Sequence, residues 1–162
     1  MVKNNLKALL LHLIIVGATA ILLVIFVATG PAIGKYTTNI AIRVPLSIVI
    51  ITAYIYSGML LDINNNKRYD FLAGSIISII GIGLWLYAFL STGKILYNLP
   101  KEVSQYWIYF NFYYTPFTML YFLLNIKATP VSAMFTNLFP SLVIGCGLAY
   151  KRLVAKRKYI NE

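Results

Sequence analysis

The residues able to do chemistry are few and scattered. The acids are Asp62, Asp70, Glu102 and Glu162, all in predicted loops or at the tail. The histidine is His12 and the cysteine is Cys146, each inside an apolar run and far from the other. Metal sites usually take three or four ligands. Acid–base and nucleophilic catalysis needs a tuned group beside a partner. No H-E-x-x-H, G-x-S-x-G or P-loop pattern is present. The sequence therefore predicts no catalytic residue, no metal site and no cofactor. Asp62 and Asp70 share a turn with Lys67 and Arg68. That turn reads as a solvated connection with helix caps, Asp70 capping the helix after it, rather than as an ion site. His12 reads as a neutral side chain near the interface or bonded to another helix, and Cys146 as a small buried hydrophobe.

Neutral polar groups at helical spacing are more informative. Asn111, Thr115, Thr118 and Asn125 are four, three and seven residues apart, which puts them on one helical face. Asn137, Ser141 and Gly145 are spaced by four and share a face on the next helix. A short loop with Lys127 and Pro130 joins the two, so the sequence predicts a hairpin with seam facing seam. Such a seam is interhelical glue worth about 0.6–2 kcal/mol per bond, or the lining of a solute path. Gly74, Ser78 and Gly81 form a small-residue face that permits close helix approach, within the bundle or with a second subunit. The glycine pairs Gly81-Ile82-Gly83 and Gly145-Cys146-Gly147 lie in apolar helices and read as packing sites, not phosphate cradles.

The elements that carry these residues are read from composition. Of 162 residues, 60% are hydrophobic and 11% charged. A soluble domain carries about 25% charged residues, and a small one cannot hide that deficit in its core. The missing charge implies a surface facing lipid. A span needs about 20 apolar residues. Five segments approach that length, at about 8–29, 45–61, 71–90, 106–124 and 133–150. The predicted fold is an all-α polytopic bundle over 1–150 with a basic tail over 151–162. The first segment is too long for a signal-peptide core, and Pro31 spoils a cleavage point after Gly30, so it reads as a retained helix. Pro45 suits a first helical turn. The fourth segment is the ambiguous one. Its crowd of Tyr and Trp favours the headgroup level, and Pro116 should kink it near Phe112. The alternative is four spans plus one interfacial or re-entrant segment.

The net charge is +10, from 14 Lys and Arg against 4 Asp and Glu. These charges flank apolar runs, which implies topology signals and anionic-lipid contacts rather than nucleic acid. Five spans would put nine basic residues on the side of the tail and five on the other, hence an N-terminus outside and a cytoplasmic C-terminus. Lys151, Arg152, Lys156, Arg157 and Lys158 are the expected anionic-lipid contacts. The Ile-, Asn-, Lys- and Tyr-heavy composition resembles that encoded by an AT-rich bacterial genome, and the expected location is a bacterial cytoplasmic membrane. With no buried acid, the expectation is a non-enzymatic protein that binds a membrane-protein partner or a second copy, as an accessory subunit or an immunity-type protein. The alternative is a small transporter, flippase or channel for a neutral or lipidic solute, because ion coupling usually relies on intramembrane acids or on broken helices around an ion.

Overall fold

The computed structural model describes residues 1–30, 39–63, 67–92 and 105–160, with side chains to Arg157. The regular structure of the described residues is all helical, without a strand. The helices are α1 (Val2–Ala28), α2 (Ile40–Met59), α3 (Ser75–Ser91), α4 (Ile108–Tyr113), α5 (Thr115–Leu124), α6 (Pro130–Thr136) and α7 (Phe139–Ile160), with a 3-10 turn at Lys67–Tyr69. Three stretches are long and apolar enough to cross a membrane: Val2–Ala28, Ile40–Met59 and Pro130–Arg157. Helix α3 is apolar but has 17 residues, about 25 Å at 1.5 Å each.

Boundaries follow local chemistry. Helix α2 starts five residues before the expected Pro45, because the Asn39 side chain accepts the Ala41 N–H at 2.9 Å and caps it. Pro45 therefore sits inside the helix. Residues 71–74 are turns and Gly74 is the N-cap of α3, so Asp70 is not a helix cap as expected. The expected helix over 106–124 is broken at Tyr114. Pro116 supplies no N–H to the Phe112 carbonyl four residues back, and the Thr115 hydroxyl donates to that carbonyl instead, at 2.6 Å. A second break falls at 137–138, ahead of Pro140, and divides the fifth segment into α6 and α7. A capping box between Thr129 and Ser132 starts α6.

Apolar side chains lie outside as well as inside. Leu10, Ile14, Ile21 and Val24 of α1 and Ile48 and Val49 of α2 are exposed, while Tyr54, Leu61, Ile77, Phe110, Met119, Ile144 and Leu148 form the core. A helix apolar all round suits lipid. Helices α2 and α7 meet most closely at two glycines. A methyl on Gly58 would collide with the Ile144 carbonyl and the Gly147 Cα, and one on Gly147 with the Ile55 carbonyl.

One end of the bundle, here called proximal, gathers three parts of the chain. Asn4 exchanges hydrogen bonds with the Asp62 backbone, at 2.7 and 3.2 Å. Asn5 donates to the Leu72 carbonyl and accepts the Ile76 N–H and the Ser75 hydroxyl. Lys151 donates to the Leu61 carbonyl, and Arg152 makes a two-pronged ion pair with Asp70 at 2.7 and 2.8 Å. The start of α1, the α2–α3 connection and Lys151–Arg152 thus lie together. Five full crossings would instead part the Asp62–Asp70 turn from Lys151 and Arg152.

At the distal end, Arg43 donates to the Leu123 carbonyl and Phe26 packs on Phe122. Trp107 shares a cavity wall with Pro130 and Ala133, and the Pro130 carbonyl accepts the indole N–H of Trp85, in the second half of α3. Tyr113, the last residue of α4, reaches instead to the Ile77 carbonyl near the start of α3. The α4–α5 pair therefore enters from the distal side, bends at Tyr114 and returns distally. Helices α1, α2, α3 and the α6–α7 pair each run between the two ends.

Candidate functional site

The bend at Tyr114 brings polar side chains from five elements into the interior. His12 lies on the inward stripe of α1 with Asn5, Ala8, Val16 and Thr19, spaced by three and four residues. Its Nδ1 shares a 2.8 Å hydrogen bond with the Tyr54 hydroxyl of α2, the donor depending on the tautomer. The Tyr113 ring of α4 packs 4.7 Å from the imidazole, and its hydroxyl donates to the Ile77 carbonyl at 3.0 Å. The space a side chain would take at Gly81 of α3 is filled by the Asn137 side chain, at the α6–α7 break, with the edge of the Tyr113 ring beside it. Ser78 lies one turn before Gly81 on the same face. An aromatic ladder of Phe110, Tyr114 and Phe117, stacked at 4.9 and 4.7 Å, runs through the bend to Tyr54 and Phe139.

Several polar atoms here lack partners among the described residues. They are His12 Nε2, Ser78 Oγ, Asn137 Nδ2, Trp107 Nε1 and the Tyr114 hydroxyl. The Tyr113 backbone lies within electrostatic reach of the imidazole, and Thr136 within reach of the Tyr114 hydroxyl, but neither contact has hydrogen-bond geometry. A buried unsatisfied group costs about 1–3 kcal/mol. All five atoms sit in or around α4. The cluster holds no carboxylate and no cation. Among the described residues no three His, Cys, Asp or Glu side chains gather as metal ligands. The arrangement presents neutral hydrogen-bonding groups, with His12 and the tyrosines as its titratable side chains.

The chain matches no family model, no curated protein and no solved structure. Function is therefore argued from its own residues alone.

The residues singled out by spacing are distributed differently from the expected seam. Asn111 is exposed on α4, in the wall of a cavity of about 190 Å³ with Trp107, Phe110, Thr129 and Pro130. The Thr115 and Thr118 hydroxyls turn back to carbonyls of their own segment. Asn125 ends α5 in the left-handed conformation, at φ 56°. Asn137 and Ser141 face α3, the latter donating to the Phe71 carbonyl. Seam does not meet seam, because the bend turns the Asn111 half of the line away from the Asn125 half. Gly74 packs on Ser141, Gly81 packs on Asn137, and Gly145 is pressed against Phe71. Cys146 is exposed, not buried, because it lies on α7 opposite the glycines that face inward.

In the basic tail, Lys151 and Arg152 are taken up by the proximal ties, while Lys156 and Arg157 are exposed. The Lys158 side chain lies outside the described residues, as do Lys35, Lys94, Lys101 and Glu102. Asp62 is exposed and holds Lys3 at 3.1 Å and Lys7 at 3.3 Å. Their hydrogen bonds, Lys3 first, keep its carboxyl below the usual carboxylate range.

Sequence reasoning missed Tyr54, Tyr113, Gly58 and Arg43. A usable signal existed for the first two. A histidine inside an apolar helix must find a partner in a neighbouring one, and interior tyrosines are the available donors. Gly58 follows Ser57 near the end of an apolar run, a small-residue pair that permits helix contact.

Proposed function

We propose that the chain is a multi-pass membrane protein with four crossings and one re-entrant hairpin, α4–α5, and that it acts by binding a membrane-embedded partner protein without catalysing a reaction. The proximal ties support an even number of crossings with both termini on one face. Among the described residues that face carries Lys3, Lys7, Lys67, Arg68, Lys151, Arg152, Lys156 and Arg157, against Arg43 and Lys127 at the other end. The excess of basic residues makes the proximal face cytoplasmic, where Lys156 and Arg157 meet anionic lipid.

The observation that carries the partner reading is the outward side of α4. Non-helical backbone at membrane depth is tolerated where protein covers it or where it lines a cavity. Here the chain itself buries the break at Tyr114, but Ile108, Tyr109, Asn111 and Phe112 just before it are exposed. A primary amide and a row of aromatics facing lipid call for a covering helix. Photo-crosslinkers at Tyr109 and Phe112 should trap one defined membrane protein, or a second copy, in intact cells. Lipid-facing controls at Ile21 and Val24 should trap none. Lipid adducts alone at all four positions would overturn the reading.

A second reading, passage of a small neutral solute, is favoured by the unpartnered His12, Ser78 and Asn137 atoms between broken helices. Its test is flux into liposomes, compared between wild type and Asn137→Leu.

A further inference from the structure

We infer that His12, Ser78 and Asn137 form a binding site beneath Tyr113 for a small neutral hydrogen-bonding molecule, water being the smallest, which enters when α4 swings away at its Tyr114 bend. The inference rests on the second reading for its location and deepens it by naming the site and its ligand class. The three residues come from three separate elements: α1, α3 and the α6–α7 break. Each is more than nine-tenths buried, and each carries a polar atom that no described residue satisfies.

They are neighbours through two intermediates. Gly81 touches both Asn137 and the Tyr113 ring, and that ring packs against His12. Ser78 follows Ile77, whose carbonyl holds the Tyr113 hydroxyl. Tyr113 thus touches His12, lies beside Gly81 where Asn137 packs, and bonds to the backbone of the residue before Ser78.

The chemistry of the set selects the ligand. Asn137 Nδ2 only donates, the Ser78 hydroxyl donates and accepts, and His12 Nε2 does either according to the tautomer, since the Tyr54 hydroxyl can donate to Nδ1 or accept from it. No carboxylate is present to balance a cation, and no lysine or arginine to balance an anion. A neutral molecule with both a donor and an acceptor fits, such as water, a small alcohol or a small amide.

The three atoms are sealed from solvent, so occupancy requires movement. Helix α4 is the element able to supply it. It has six residues, ends at a bend that lacks one helical N–H, and leaves its outer side uncovered. The Tyr113 hydroxyl tethers it to the start of α3.

Thiol accessibility in lipid nanodiscs tests this. In Cys146→Ser protein, Ser78→Cys is treated with a small water-soluble methanethiosulfonate, with Ile144→Cys as the fully buried apolar control. The expected result is that Ser78→Cys reacts several-fold faster than the control, and faster still when Tyr113→Phe removes the tether. Asn137→Cys carries the same test should Ser78→Cys not fold. Reaction no faster than the control, with and without Tyr113→Phe, overturns the site. Flux measured separately distinguishes the two ideas. Labelling without flux supports the site and removes the second reading, whereas flux without labelling removes the site alone.

Discussion

Adding one methyl to Gly147 separates close helix packing from mere apolar composition. Built on that backbone, the methyl overlaps the Ile55 carbonyl, and its opposite number on Gly58 overlaps the Ile144 carbonyl. In both cases the obstacle is helical backbone, which cannot rotate aside as a side chain would. Helices α2 and α7 must therefore separate, losing contacts along the whole crossing. Overpacking costs typically about 1–3 kcal/mol. The gain from replacing a helical glycine by alanine is about 0.5–1 kcal/mol. Gly147→Ala and Gly58→Ala should therefore destabilise the protein by about 1–2 kcal/mol net, roughly a five- to thirtyfold shift in the folding equilibrium. Gly17 and Gly83 are helical glycines whose Cβ would meet nothing within 4 Å. Alanine there should be neutral or stabilising. The assay is reversible unfolding in mixed micelles with rising SDS fraction, read by tryptophan fluorescence. Equal midpoints for Gly147→Ala and Gly83→Ala would falsify the close α2–α7 crossing.

Other outcomes follow from the proximal ties and the interior. Arg152→Ala leaves the buried Asp70 carboxylate unpaired and should destabilise by about 3 kcal/mol. Adding Asp70→Asn should recover part of that loss in the same assay. The depressed Asp62 carboxyl stabilises the folded state above its unfolded value of about 3.9, and that contribution is lost as pH falls through the folded value. Protection factors of the second-turn amides of α1, which correct for the intrinsic pH dependence of exchange, should therefore fall below about pH 4 in wild type, whereas in Asp62→Asn they should be low at all pH. Tyr54→Phe strands His12 Nδ1 in the interior and should cost about 1–3 kcal/mol. A double-mutant cycle with His12→Phe should show coupling, and purely additive losses would mean that the bond contributes nothing.

The all-helical character and the long apolar helices were legible, because a charge deficit and long apolar runs are what a bilayer as solvent selects. Pro116 announced the break in the fourth segment, and the tyrosine crowd made a re-entrant path one of two options. What spacing could not supply was direction. A 20-residue apolar stretch looks the same whether it crosses or dips, and that single choice decides whether Arg152 meets Asp70 or lies a bilayer away from it. Periodicity placed Asn111 and Asn125 on one face because it assumes a continuous helix, and the bend at Tyr114 removes that assumption. Pairing of His12 with Tyr54 is a contact between helices 42 residues apart in sequence, with no local pattern to mark it.

The most direct test of the hairpin topology is the sidedness of residues 101 and 127, which flank the fourth segment. Single cysteines at Lys101, Lys127, Asn65 and Lys156 in Cys146→Ser protein would be labelled from each side of sealed vesicles. Four crossings and a re-entrant hairpin predict Lys101 and Lys127 on one face, with Asn65 and Lys156 together on the other. Labelling of Lys101 and Lys127 from opposite faces would contradict it and make the fourth segment a full crossing.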